Sequence, residues 1–460
     1  MPTTTTNIDQ LRHQLTGTVA VRGESAYDDL RICWNLTVDL QPELVVAAAD
    51  EADVQAAARY AAEHNLPITV LATGHGQPRN CQGGIVIRTT AINHVEVDPA
   101  SRTAKIGGGA VWGDVIAAAH PHGLAPLSGS SPNVGVVGYL LGGGYGLMLR
   151  TYGLGIDHVK AFRVVLSDGS AVTASPDSHT DLFWALQGGG GAFGIVTEVT
   201  VGLVPHAEVY AGSMMFPADR AQEVYAAYGK WTKTLPNDLT TGLIMIAFPP
   251  VPFVPEFLQG RQMIILTACM AADPERANEL LQPMRDLGPE FDFMGVMPYT
   301  ESARVYNDPV DPLPANGRGI LLRDVDDEAL SNLIEAIGPM AQSPNLMIQL
   351  RHLGGAMGHR AESDSPIGDR RRATYVLYLL GVTIGPVTME MMAGHADGVF
   401  AALQPWTLSR GPLNWLGEGA VTGEEIRSVF GDADYERLCA VKRTYDARNA
   451  FRCAGVGICQ

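Results

Sequence analysis

Apolar and polar positions along this chain follow two different rhythms, and the change between them falls near residue 206. In the first part the apolar runs are short. Ile8–Leu15 predicts a lead-in helix, and Pro42–Ala49 and Ile68–Leu71 predict buried strands. Between those strands Asp50–His64 predicts a helix, because carboxylates open it, complementing the helix dipole, and alanines continue it. The order strand, helix, strand reads as a β-α-β unit, yet no glycine fingerprint joins the first strand to the helix, which argues against a Rossmann NAD site. Gly83–Arg88, Val95–Asp98 and Thr103–Ala110 predict short strands that open a second sheet, and Trp112–Ala119 predicts a helix. Ala161–Leu166 and Ala171–Ala174 read as strands joined by the turn Ser167–Ser170, followed by a helix at Asp181–Gln187 and a strand at Ile195–Val201.

From His206 to Ser409 the strands alternate with longer helices. Strands are expected at Leu243–Phe248, Met263–Ala268, Ile320–Leu322, Leu346–Leu353 and Thr374–Val382. Helices are expected at Pro217–Thr234, Pro274–Leu287, Asp327–Ile337 and Val387–Leu403. That order predicts an antiparallel sheet with helices on one face, an α+β arrangement. The proline-rich Phe248–Pro255 and the polar Arg360–Asp369 read as surface loops, either of them able to cover a substrate.

The stretch Gly129–Gly153 changes the picture from fold to binding. Its glycines are interleaved with Val134, Val136, Val137, Leu140, Leu141, Leu147, Met148 and Leu149, which a solvated linker would not carry. Glycine concentrates in a packed domain where the backbone needs φ > 0 or another group must approach the amides, and successive exposed amides make a nest for phosphate. A second candidate is His75, bracketed by Gly74 and Gly76 just after a strand, so that an imidazole projects from a turn a ligand can approach. Gly189, Gly191 and Gly194 match G-x-G-x-x-G, but a helix precedes them and a strand follows, the reverse of the order an NAD site needs.

Composition sets outer limits. A chain of 460 residues predicts two domains, and 46% hydrophobic with 18% charged residues is the balance of a globular enzyme. The net charge of −17 argues against nucleic acid or an anionic membrane as partner. Neither a signal-peptide pattern nor a long apolar span is visible, and Cys33, Cys81, Cys269, Cys439, Cys453 and Cys459 lack metal spacing, so free thiols in a reducing cytoplasm, and no metal, are expected.

The order of T-G-H-G at Thr73–Gly76, the long glycine stretch, Asp181–Thr197 (DLFWALQGGGGAFGIVT) and the end Tyr435–Phe451 resembles the berberine-bridge-enzyme-like flavoprotein oxidases of the vanillyl-alcohol-oxidase superfamily. The resemblance covers about residues 25–205 and 410–453, and the middle only loosely. It implies a PCMH-type FAD-binding domain of two subdomains at 1–205, a substrate domain at 206–409, and a return segment at 410–460 that completes the FAD domain. It also implies FAD attached covalently through His75, with Thr73, Gly74, Gly76 and Gln77 beside it. Ser131 stands where many relatives carry a second, cysteinyl attachment, so a single link is expected, and Ala72 stands where many have arginine.

Along the glycine stretch the resemblance assigns Ser130, Ser131, Val134, Gly135, Gly138 and Tyr139 to the cofactor, with Val134 controlling oxygen access. Gly142, Gly143, Gly144 and Gly146 continue that wall, Gly191, Gly194, Ile195 and Val196 form a second, and Tyr435 and Asn449 close the site. On the roof, strand alternation puts Gln349 and Arg351 on one face and His352 on the other, with Tyr378 opposite in phase to Tyr375. Tyr378 is the expected proton acceptor, activated by Arg351 or His352. The implied reaction is hydride transfer from a C–O or C–N carbon of a small metabolite to the flavin, with O₂ reduced to H₂O₂. A sugar oxidase, a dehydrogenase using another acceptor and a non-redox flavoprotein such as a cyclase are the alternatives, in a monomer or homodimer.

Overall fold

Three β-sheets organise the chain in this computed structural model, which describes residues 5–76, 83–252, 254–271, 273–361, 364–417, 423–453 and 458–459. In the first sheet Ile85–Arg88 inserts between Leu44–Ala47 and Ile68–Leu71 and runs parallel to both, and Thr18–Val21 adds an antiparallel edge. The expected β-α-β pair is therefore not adjacent, and a strand read as opening a second sheet completes the first. Its run of Ile, Val and Ile suits a central strand covered on both faces. Asp50 caps the helix Glu51–Glu63, accepting from the Asp53 amide at 2.9 Å. Asp53 in turn accepts from the amides of Thr16, Gly17 and Ala49, which ties the lead-in chain to this helix.

The second sheet is antiparallel, in the order Val95–Asp98, Thr103–Gly107, Ile195–Gly202, Val159–Val165, Ala171–Ala174. The third is the large one. Its strands run Phe291–Asp292, Glu208–Pro217, Gln262–Met270, Leu239–Ala247, Met347–His352, Tyr375–Val382, Ala315–Leu322 and Thr407–Arg410, all antiparallel, and Gly295–Pro298 also pairs with Glu208–Pro217. The expected α+β architecture holds. Glu208–Pro217 is a strand the pattern did not predict, because nearly all its positions are buried and no polar alternation marks it.

One face of this sheet is covered by the helices Ala221–Thr232, Pro274–Arg285, Asp327–Ile337 and Met389–Ala402, whose apolar sides share one core with Leu243, Leu266, Ile348, Leu350, Leu377 and Leu379. By strand alternation the residues between them, Gln349, Arg351 and Tyr378, face the other way. That leaves a polar underside turned toward the glycine-rich domain.

The chain then returns. Helix Asp432–Tyr445 packs Leu438 against Gly189, and Lys442 donates to the Ala192 carbonyl and to Asp446. Ile68 donates its amide to Ala450 O, and Phe451 enters the core of the first sheet. Cys439 and Cys459 form a disulfide with 5.5 Å between Cα atoms, and Cys453 is disulfide-bonded as well. This corrects the expectation of six free thiols and removes the thiol argument for a reducing compartment. Spacing in sequence could not reveal it, since only the return of the tail brings 439 and 459 together. Cys81 lies outside the described residues.

Among their described residues, neither expected covering loop lines the cavity between the glycine stretch and the large sheet. Ile367 of the second loop packs against Gly143 and Gly188, and Asp157 binds Arg360 and the fully buried Arg370, so this loop is anchored to the back of the glycine stretch. Val254 of the first packs with Leu258 and Met263 in a separate apolar cluster. Among the described residues no helix is long and apolar enough to cross a membrane.

Candidate active site

A cavity of ≈ 500 Å³ lies between the glycine-rich domain and the polar underside of the large sheet. Its floor comes from the stretch 129–142, where the short helix Val136–Leu141 buries Val136, Val137, Leu140 and Leu141 and turns Gly138 outward. A Cβ at Gly138 would meet nothing within 4 Å, and one at Gly191 only Leu141 at 3.9 Å, so both backbones border open space. Behind them Gly142 admits Asn414, whose amide accepts from the Gly144 N–H at 3.1 Å and donates to Tyr139 O at 3.1 Å. Asn414 belongs to Leu413–Gly417, a cavity-lining segment that sequence reading left unassigned because nothing in its composition marks it.

At one end stands His75. Gly74 before it holds φ 76°, and a Cβ there would lie 2.7 Å from Cys33, so only glycine fits. The His75 ring stacks on Trp34 with centroids 4.4 Å apart and planes 16° from parallel. Its Nδ1 is 2.8 Å from Thr73 Oγ1, while Nε2 is buried without a partner. Burial lowers its pKa to about 4, so the imidazole is neutral at physiological pH. Trp34 in turn donates from its indole to Val310 O at 2.9 Å, Leu36 N–H donates to Leu313 O, and Leu313 N–H donates to Trp34 O, joining the two walls beside His75.

The roof carries Gln349, Arg351 and Tyr378, with Gln349 and Tyr378 directly opposite across neighbouring strands. Arg351 lies over the rings of Tyr306 and Trp415, at 4.9 and 5.0 Å, and donates to Tyr145 O at 2.9 Å. Its donors therefore do not go to Tyr378. Between roof and floor sits Asp308, which the sequence reading missed; it accepts from Ser130 Oγ at 2.5 Å. Burial raises its carboxyl pKa, against the pull of Ser130 and Arg351. The Tyr378 hydroxyl is also pushed up, by burial first and by the charge of Asp308 second. An acidic residue flanked by Asn and Pro in a loop gave no pattern to find; only folding brings it opposite Ser130.

Of the residues expected at a cofactor, Thr73, Gly74, His75, Gly76, Ser130, Ser131, Val134, Gly135, Gly138, Tyr139, Gly142, Gly191, Gly194 and Val196 border the cavity. Others do not. Gly143, Gly144 and Gly146 lie behind the wall, where a Cβ would strike the rings of Tyr145 and Tyr139 and the carbonyl of Ser128. Ile195 is buried in the core shared with the first sheet. Tyr435 receives the Cys459 amide at 3.2 Å and lies under Arg427, and Asn449 makes a left-handed turn at φ 53° below Asp446, so both shape the tail and do not line the cavity. His352 faces the helix side, stacked on Tyr375 and 3.2 Å from Arg150, its pKa lowered to about 3 by burial and by that arginine. Strand alternation removes it from the catalytic set. Gln77 lies outside the described residues.

A family model described as an FAD binding domain matches residues 42–175. The chain is 26% identical over 450 residues to the FAD-linked oxidoreductase YgaK of Bacillus subtilis, covering 95% of this chain and 96% of that one. It is 27% identical over 449 residues to (R)-6-hydroxynicotine oxidase of Paenarthrobacter nicotinovorans, covering 95% of each. Residues 42–175 are thus similar to an FAD-binding domain, and the relatives that span nearly the whole chain are FAD-linked oxidoreductases and oxidases. The crystal structure of 6-hydroxy-D-nicotine oxidase from Arthrobacter nicotinovorans superposes with a TM-score of 0.83 at 24% identity, over 96% of this chain and 98% of that one, and shares the PCMH-type fold.

The residues present suit FAD in this oxidoreductase. The open backbone at Gly138 and Gly191 is a cradle that any side chain would fill, and the unpartnered Nε2 of His75 is a buried polar atom still lacking a contact. Gly135 and Gly138 of the floor and His75 at its end border one continuous space.

Proposed function

We propose that this protein is an FAD-dependent oxidase of a small metabolite, oxidising a carbon that bears O or N and returning the electrons to O₂ as H₂O₂. The observation that carries the reading is Asp308, a half-buried carboxylate with raised proton affinity that lines the cavity together with the glycine-rich floor and the polar roof. FAD supplies the hydride-accepting centre when bound. His75 would hold it covalently, and Ser131 would leave that link single. Trp34 and Thr73 fix the imidazole plane. Asp308 takes the substrate's hydroxyl or amine proton, being a better base than Tyr378, whose phenol burial holds protonated. Tyr378 hydrogen-bonds the same oxygen or nitrogen, and Ser130 orients the carboxylate. Val134, a modest side chain at the cavity wall, leaves O₂ a path. The acidic surface suits small-molecule chemistry without a nucleic-acid or membrane partner.

Acid precipitation tests the cofactor reading. Yellow is expected to remain in the wild-type pellet and to leave it in His75→Ala; a colourless wild-type pellet refutes covalent attachment. Substrates are screened by anaerobic bleaching. Recovery of colour in air with peroxide release is expected, whereas recovery only with an added acceptor makes the protein a dehydrogenase.

A further inference from the structure

Two donors in the cavity roof have no partner. Gln349 and Arg351 are each 4% exposed and border the cavity, yet Gln349 Nε2 and Arg351 Nε make no hydrogen bond. Unsatisfied donors this deep are costly unless a ligand completes them. Their neighbours define what that ligand offers. Arg351 Nη2 points to Gln349 Oε1 at 3.5 Å, which orients the amide so that its NH₂ end is the free one. Arg351 Nη1 is spent on Tyr145 O, and the rings of Tyr306 and Trp415 lie 4.9 and 5.0 Å from the guanidinium carbon. With Nη1 on Tyr145 O and Nη2 on Gln349 Oε1, each outer nitrogen already serves a protein acceptor, and one Nε–H remains beside one amide NH₂. Two single donors on the same face of one strand suit a single acceptor oxygen.

The geometry points to a substrate that carries a carbonyl or phenolate oxygen beside the carbon being oxidised, held by Gln349 Nε2 and Arg351 Nε while Asp308 and Tyr378 serve the hydroxyl or amine. The assignment rests on the roof being the substrate side. It separates the two polar ends of the cavity by role: donors at 349 and 351 recognise an oxygen, and Asp308 accepts a proton. Tyr306 and Trp415 add ring surface to the same cavity wall, which suits a substrate with a flat apolar body.

The test uses purified holoprotein and three probes sharing one ring, p-nitrophenol, p-nitrobenzoate and p-nitrotoluene, with binding read by the probe's own absorbance and by calorimetry. Wild type is expected to prefer p-nitrophenol, and Gln349→Leu and Arg351→Met each to weaken it about tenfold or more while leaving p-nitrotoluene unchanged. Equal or tighter binding of p-nitrobenzoate overturns the single-oxygen assignment. Retention of p-nitrophenol affinity in both variants overturns the pair. Variants that shift the flavin spectrum of the ligand-free protein without changing probe binding assign these donors to the cofactor and also overturn it. Gln349→Leu decides the matter if Arg351→Met fails to fold. Protein without flavin sinks the proposed function, yet probe absorbance still reads the donor pair, so the two failures are distinct.

Discussion

Burial raises the proton affinity of Asp308 while Ser130 donates to one of its oxygens, so the group ionises above the ordinary carboxylate range. A base works only when ionised, so kcat/KM is expected to rise with pH through that elevated pKa. Asp308→Asn removes this limb and lowers the rate of anaerobic flavin reduction by roughly 10²–10⁴-fold with flavin content unchanged. A pH profile of the variant that keeps the wild-type limb assigns it elsewhere. Gly138 gives an independent check of the floor. Alanine there suits the helix Val136–Leu141 and favours it by about 1 kcal/mol. Its methyl nevertheless enters the cavity, so Gly138→Ala is expected to hold or raise Tm while losing flavin absorbance per protein. His75 and the glycine floor were legible in sequence because glycine is demanded there by backbone and contact. Asp308 and Asn414 were not, because no local rule places a loop carboxylate or an amide against a distant helix.

The short helix Leu149–Tyr152 acts as a latch between the glycine stretch and the large sheet. Its Arg150 is 4% exposed and donates to the carbonyls of Leu239, Leu353 and Pro236 and to His352, all at or beside strand ends of that sheet. Removing such a group leaves buried carbonyls unpartnered. Arg150→Met is expected to destabilise by about 3 kcal/mol or more in denaturant unfolding. Because Arg150 holds the end of the strand that presents Gln349 and Arg351, the surviving folded protein is expected to bind cavity ligands more weakly. Unaltered stability and binding would reduce the latch to a surface contact. At this scale sequence reading did well on helices: Asp327–Ile337 matches residue for residue, since its caps and apolar spacing are local. Strand order was not legible. Ile85–Arg88 joined the first sheet because a parallel centre is chosen by what covers its two faces, not by its own pattern.

Across the whole molecule the C-terminal tail closes what the N-terminal half begins. Helix Asp432–Tyr445, the buried Lys442–Asp446 pair and Phe451 tie residues near 190 and near 68 to the end of the chain. The Cys439–Cys459 disulfide locks that tail across a sequence separation of 20 residues, worth about 3 kcal/mol in chain entropy. Cys439→Ser, or reductant added to wild type, is therefore expected to lower Tm and to speed proteolysis of the tail. A Tm indifferent to both would show the disulfide contributes nothing to the folded state.

By itself the sequence determined the glycine-walled floor, the histidine turn and the two-rhythm pattern, because each depends on residues close together in the chain or on a short motif. Only the tertiary structure decided which face of each strand meets the cavity, where Asp308 and Asn414 arrive, that His352 turns away, and that cysteines form a bridge. Those outcomes depend on long-range packing, where one residue of register or one returning helix chooses between partners that local pattern leaves equivalent.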